Sequence, residues 1–479
     1  MFLPITFCIY FYLNHINLTA GGKYFLILAS LVFYSWWNIA YLPIILVSIA
    51  FNYIIGILVA KKENESKPYA KLILTFGVVS NLALLGYFKY SDFFIESINL
   101  ITSSNIELLN LALPLAISFF TFQQIAYLVD SYRQKARVNN FPSYVLFVTF
   151  FPQLIAGPIV HHKEMMPQFA RKKSDVINYQ NIVMGLFLLS IGLFKKIVIA
   201  DQFAIWATAG HDTANTLSLI EAWCTSLSFT FQLYFDFSAY SDMALGLGLL
   251  FNIKLPINFN SPLKATSLIE FWSRWHMTLT RFAEKYVFKT MVKSFNTYSF
   301  SKAMLSVFIT LMVIAIWHDA NWLFLIFGLI HGIGVVINHV WKKKIRIKIN
   351  RYIAWFLTFN TLNISTIFSR SHELKDAIKV LSSMFSLDNI VLPNMLSSYL
   401  GFLDKYGVTF TEFLANINGG QSTLIWLLLG FIIILLFKNS SQMAAEIKIN
   451  HKTAVFSGVV FILSLLSLTQ ASEFIYFEF

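Results

Sequence analysis

The sequence predicts an all-α polytopic membrane protein, and three observations carry that expectation: its composition, the length of its apolar runs and the placement of its basic residues. Of 479 residues, 57% are hydrophobic, 17% aromatic and only 13% charged, which is not the balance of a soluble globular chain. About twelve runs are long enough to cross some 30 Å of hydrocarbon. The 36 Lys and Arg, set against 24 Asp and Glu, cluster between those runs as the positive-inside rule demands. No basic stretch has the motif context of a nucleic-acid reader, so the excess positive charge points to a membrane and not to DNA or RNA.

The first run, 1–18, lacks a basic leader and a small-residue cleavage site over Met1 to Leu13, so a retained first helix is expected rather than a removable signal peptide. Further spans are expected at 24–41, 42–60, 71–90, 111–129, 182–200, 217–235, 302–318, 321–341, 352–369, 422–437 and 453–470. The total is about 11–13 transmembrane helices. Two apolar stretches, 141–160 (FPSYVLFVTFFPQLIAGPIV) and 237–252, are interrupted by Pro or Gly. They are expected to be re-entrant or buried segments, because such backbone persists at membrane depth only inside protein or beside a water-filled cavity. Residues 370–421 show helical periodicity and are expected to lie externally against the membrane. No internal repeat or appended soluble domain is visible, so 1–479 reads as one transmembrane domain with its core motifs in 114–341. Cys8 and Cys224, both in apolar surroundings, read as small buried hydrophobes and not as a disulfide.

The basic loops set an expected orientation. Lys61, Lys62, Lys67 and Lys71, then Arg133, Lys135 and Arg137, then Lys163, Arg171, Lys172 and Lys173, and finally the run Lys342 to Arg351, are expected to face the cytoplasm. Counting outward from them places both termini outside. The link after Ala200 (DQFAIWATAGHDTANT), poor in Lys and Arg, also falls outside.

The stretch that carries chemistry is 271–332, with His276, His318 and His331. An ionisable side chain at membrane depth is a functional hypothesis by default, and a neutral imidazole can accept a proton near pH 7. His318 is expected near the external turn, as a general base flanked by Trp317 and Trp322, or else as an interfacial histidine in an aromatic belt. His331, among Gly328, Gly332 and Gly334, is expected chiefly to hydrogen-bond across helices, with catalysis as the alternative. His276 lies in a cytoplasmic-side amphipathic segment, 268–293, with Arg274, Arg281 and Lys285. Those cations would attract a phosphorylated donor or rest on anionic lipid. Asp236 and Asp242, in YFDFSAYSDMALGLG, would polarise a histidine or, more in keeping with buried charge, pair with arginine. His161 and His162, after GPIV, are too close together and too unsupported by carboxylates to argue a metal site.

Six ordered stretches resemble the membrane-bound O-acyltransferase superfamily, in the bacterial polysaccharide branch typified by the alginate O-acetyltransferase membrane subunit. They are PLAISFFTFQQIAYLVDSYR (114–133), FFPQLIAGPIV (150–160), FQLYFDFSAYSDMALGLGLLFNIKLPINFNSP (231–262), EFWSRWHMTLTRF (270–282), IWHDANWLFLIFGLIHG (316–332) and SEFIYFEF (472–479). The resemblance implies a ring of helices around a thin centre, with a funnel from each face meeting at the family histidine. In the family's Trp-His-Gly element that histidine falls on His318, and the branch's second histidine, in Arg-Trp-His, falls on His276. It implies an acyl thioester donor, most simply acetyl-CoA, taken from the cytoplasm, with no bound cofactor. It also implies a polysaccharide acceptor outside, reached directly or through an external esterase-like transferase, and a place in the bacterial inner membrane. Two positions depart from the pattern. Asp319 stands where the family has glycine, and would hydrogen-bond its neighbour or cap the turn with Asn321. RFAEKYVF follows His276 where the branch has an arginine–aspartate pair near a tyrosine. Transfer of D-alanine from a carrier protein is the nearest rival reading, and a proton-relaying transporter or flippase is the more distant one.

Overall fold

Helix follows from composition along almost the whole described chain. The computed structural model describes residues 1–60, 68–133, 140–155, 157–171, 175–468 and 475. Lys61, Lys62, Lys67, Lys135, Arg137, Lys172, Lys173 and all of the closing motif except Ile475 lie outside them. Among the described residues, five helices are long and apolar enough to cross a membrane: Ile39–Ala60, Pro68–Lys89, Tyr179–Thr213, Phe300–His318 and Trp322–Ile345. The remaining expected spans are also helical, among them Phe2–His15, Thr19–Trp37, Ile117–Tyr132, Arg351–Arg370, Gln421–Leu436 and His451–Leu466. Several are shorter than the apolar runs that predict them, with 14 residues in Phe2–His15 and 16 in Ile117–Tyr132.

The chain divides into two units, one comprising 1–189, 241–257 and 447–453, the other 190–240, 258–446 and 454–479. In the first, the interrupted stretch 141–160 is broken as its prolines require. Phe141–Thr149 and Phe151–Leu154 are separate helices, and Pro142 and Pro152 occupy their first turns, where a missing N–H breaks no bond. The rings of Tyr127 and Tyr144 lie 4.6 Å apart and those of Phe151 and Phe251 5.5 Å, so aromatic packing dominates this core.

The second unit contains the helical hairpin that positions the site. Ser299 starts Phe300–His318 by accepting from the Lys302 N–H at 3.2 Å, and Asn321 starts Trp322–Val340 by accepting from the Leu323 N–H at 2.9 Å. Both are standard N-cap arrangements. Only Asp319, Ala320 and Asn321 separate the helices, so the pair must run antiparallel. Their close approach needs the glycines singled out from sequence. A Cβ on Gly328 would stand 2.6 Å from Ala315 Cβ, and one on Gly332 would stand 2.8 Å from the Phe308 ring. Gly328→Val is therefore expected to cost about 1–3 kcal/mol through overpacking. That cost would be read as a lower thermal midpoint of the detergent-purified protein, while Gly458→Ala, with nothing within 4 Å, leaves the midpoint unchanged.

Four expectations are corrected. The link after Ala200 is not a loop: helix continues through Asp201–Thr208 to Thr213. Its polar residues are accommodated by partners, since Asp201 meets Lys196 at 3.0 Å and Asp212 pairs with Arg370. Nor is 237–252 interrupted, because Leu219–Leu250 is one helix of 32 residues. Gly246 serves contact there, not a break, for a Cβ on it would meet the Gly185 carbonyl oxygen at 2.5 Å. Segment 370–421 is not helical throughout: Leu374–Phe385 is its long helix, and only short turns such as Ser397–Leu400 and Gly401–Tyr406 follow. Beyond that, Ile390–Pro393 and Val408–Thr411 pair as a two-stranded parallel sheet with Ile390 opposite Val408. Finally, Cys224 is buried as expected, but Cys8 is exposed.

Candidate active site

The site begins with a turn. Ser267 caps Leu268–Arg274 by accepting from the Glu270 N–H, and that helix ends at Trp275. His276 then adopts φ 40° and ψ 51° before Met277–Ala283 begins. Left-handed backbone is uncommon for any residue with a Cβ, and histidine is among those that tolerate it. Here it reverses the chain so that the imidazole points inward, fully buried.

The turn is held by the segment preceding Leu268–Arg274. Met277 N–H donates to the Asn258 carbonyl at 2.9 Å, and Asn260 N–H donates to the Arg274 carbonyl at 2.9 Å. The Asn258 side chain, also fully buried, adds the decisive contacts. Its Oδ1 accepts from the Thr278 N–H at 3.2 Å and the Thr278 hydroxyl at 2.8 Å, and lies 3.2 Å from His276 Nδ1. A backbone N–H can only donate, so the atom it meets is the amide oxygen, and His276 Nδ1 must carry the proton. The ring's lone pair is thereby placed on Nε2. Burial, and after it the neighbouring His318, hold this imidazole well below its ordinary pKa, in the neutral form.

The hairpin brings the second imidazole to the first. The His276 and His318 ring centroids are 6.1 Å apart. Trp317 packs beside both, 4.8 Å from His318 and 6.4 Å from His276, and is 4% exposed. Phe237 stands edge-on to His276 at 4.9 Å, and Phe324 stacks on His318 at 6.4 Å. His318 itself is only half-buried, as is Asp319, whose extended backbone ends the helix. One fully buried imidazole of fixed tautomer thus faces one that is half-buried.

Other residues singled out from sequence lie elsewhere. Trp322, expected to flank His318, is 58% exposed. His331 is buried with both ring nitrogens engaged, Nδ1 accepting from Trp272 Nε1 at 3.2 Å and Nε2 lying 2.9 Å from the Ser365 hydroxyl. Because that hydroxyl donates to the Leu362 carbonyl, His331 Nε2 donates to it. The ring is thus a cross-link between Leu268–Arg274, its own helix and Arg351–Arg370. Asp236 pairs with Lys196 at 2.8 Å, not with an arginine or a histidine, and accepts from the Ile475 N–H at 3.0 Å. Asp242 is buried and belongs to the other unit. Arg274 holds Glu270 at 2.8 Å and the Asn260 carbonyl at 3.2 Å, so it braces the turn from within the chain. Arg281 is exposed. In the first unit the fold supplies what sequence neighbours do not, a carboxylate beside the adjacent histidines: Asp130 lies 2.7 Å from His161 Nε2.

A cavity of about 550 Å³ runs along Phe300–His318. Lys343, His339 and Phe300 lie at one end, Lys343 seated over the Phe300 ring at 4.2 Å. Ala303 follows one turn further in, Val307 and Thr310 line the middle, and Ile314, one helical turn before His318, lies at the other end.

Asn258 is the residue of this candidate site that sequence reasoning misses. Its one signal is a polar side chain in the apolar run FNIKLPINF. Asn258→Leu is expected to lower kcat about 10-fold or more by freeing the His276 tautomer. Asn258→Asp, which still accepts from Nδ1–H, is expected to keep most of the rate, and steady-state kinetics of the two variants distinguish tautomer control from simple packing.

A model of the MBOAT, membrane-bound O-acyltransferase family matches residues 129–369. Across its whole length the chain is 42% identical to a peptidoglycan O-acetyltransferase of Helicobacter pylori, of which it covers 95%. It is 34% identical to a probable alginate O-acetylase AlgI of Pseudomonas aeruginosa, over 81% of this chain and 73% of that one. With a teichoic acid D-alanyltransferase of Streptococcus thermophilus it shares 27% identity over 52% of this chain and 66% of that one.

Proposed function

The chain belongs to the membrane-bound O-acyltransferase family, and from that premise we propose that it moves an acetyl group from a cytoplasmic thioester, acetyl-CoA, to a hydroxyl of a cell-wall glycan of the peptidoglycan type. It is an O-acyltransferase. In the proposed reaction His318 removes the proton from the acceptor hydroxyl, and the oxygen attacks the thioester carbonyl. The tetrahedral adduct then collapses with cleavage of the C–S bond, and the proton held by His318 returns to the departing thiolate. His276 Nε2, which can only accept, would orient the hydroxyl through a hydrogen bond.

The observation that carries this reading is the pairing of a sealed, tautomerically fixed His276 with a half-buried His318 at 6.1 Å. The cavity reaching from Lys343 to Ile314 supports a route for the thioester from the basic end of the hairpin. Under the positive-inside rule that end is cytoplasmic, both termini are external, and the acceptor, or an external transferase that relays the acetyl group to it, approaches from the far side in the inner membrane. The glycan assignment rests on the relative that matches all of this chain, whereas the D-alanyltransferase match spans 52% of it.

The test is a donor comparison with purified protein in liposomes. Radiolabelled acetyl-CoA is expected to label a peptidoglycan fragment, while a strict requirement for a D-alanyl carrier protein would overturn the assignment. Ala303→Trp, which fills the cavity one helical turn in from Phe300, is expected to raise the KM for acetyl-CoA at least about 10-fold, consistent with losing about 1.4 kcal/mol of donor binding, and to leave the KM for the acceptor unchanged.

A further inference from the structure

Away from the two facing imidazoles, Asp130, His161 and His162 gather three potential metal ligands in the first unit. One ligand atom from each residue lies within 4.8 Å of the others. Asp130 is fully buried, His162 is 4% exposed and the His161 side chain 16%. Asp130 projects from the last turns of Ile117–Tyr132, and the histidines from the start of His162–Phe169. The Lys163 N–H donates to His161 Nδ1 at 3.3 Å, which fixes that ring and turns Nε2 toward Asp130 at 2.7 Å. Around them stand the Tyr127 and Phe147 rings, edge-on to His162 at 5.9 and 6.4 Å.

We propose that Asp130, His161 and His162 form a binding site for a divalent transition-metal ion of the zinc type. Two imidazole nitrogens and one carboxylate oxygen match the borderline-soft character of zinc and its neighbours, and they do not match magnesium or calcium, which take oxygen ligands. A tetrahedral ion with bonds of about 2.1 Å holds its ligands about 3.4 Å apart. The ligand atoms reach that spacing by side-chain adjustments of about an ångström. In the metal-free form His161 Nε2–H donates to Asp130. On binding, the ring changes tautomer: its proton passes through solvent from Nε2 to Nδ1, which gives up the Lys163 N–H, and the Nε2 lone pair goes to the ion while the Asp130 carboxylate exchanges its hydrogen bond for a metal bond. The ion would thereby fasten Ile117–Tyr132 to His162–Phe169, with its fourth position open to water.

The experiment uses the full-length protein purified in detergent, stripped with a chelator and titrated with Co²⁺ and Zn²⁺. The expected result is about one ion per chain by mass spectrometry and Co²⁺ visible bands of tetrahedral intensity. Zn²⁺ should raise the thermal midpoint. His162→Ala and Asp130→Asn are expected to lose the cobalt bands, and the unfolding transition of each verifies that it is folded. A folded wild-type protein that takes up no Co²⁺, or variants that bind it as tightly as wild type, would overturn the proposal. Should a variant fail to fold, the wild-type titration alone decides.

Discussion

His318→Ala is expected to lower O-acetyl transfer about 10³-fold, in the range set by loss of a general base, with thermal stability close to that of the parent. The stability half follows from its position. His318 is the last residue of Phe300–His318 and is half-buried, so truncation opens little packed volume. The rate half follows from what remains, because the neutral His276 has its Nδ1 proton committed to Asn258 and faces the reaction from a sealed position. A base confined to that position cannot follow the acceptor into the accessible part of the site. Retention of activity within about 10-fold, with correct folding, would remove His318 from the mechanism.

The second large effect is expected at His276. His276→Ala should lower kcat about 10²-fold, and with it the stability, because it empties a fully buried site. The two effects separate with His276→Gln, whose amide can restore an acceptor toward the acceptor hydroxyl. Partial recovery of kcat with an unchanged KM for acetyl-CoA is expected. If His276→Gln recovers stability and no activity, His276 is a packing residue only. The left-handed backbone at φ 40° adds a control, since His276→Asn fits that conformation yet is too short to reach the site, so it should fold and remain slow.

Much of the fold and of the site is legible in the amino-acid sequence, and the features that are not share a cause. Apolar runs locate the helices because hydrocarbon demands internally bonded backbone, and His318 and His276 stand out because ionisable groups are rare among such runs. What stays illegible depends on partners distant in sequence. Gly246 and Gly248 read as interruptions because a sequence does not show that Gly185 presses against the first of them. The segment after Ala200 reads as a loop because Lys196 and Arg370, which engage its aspartates, cannot be placed from sequence. Asn258 is inconspicuous for the same reason: its role comes from a turn 18 residues on. Asp130 reaches His161 only through the packing of two helices. Residues 390–411 read as helix because strands of four residues leave too short a pattern to outweigh the helical periodicity before them.

If one accessible imidazole serves a thioester arriving from one face and a hydroxyl arriving from the other, transfer must have a direction across the membrane. Sealed vesicles carrying the protein in one orientation, loaded with acetyl-CoA and given a peptidoglycan fragment outside, measure this directly. Acetylated glycan should accumulate outside with the wild-type protein and not with His318→Ala, and acetyl-CoA supplied only on the glycan side should yield none. Equal product with both substrates on the same side, or product that survives His318→Ala, would contradict it.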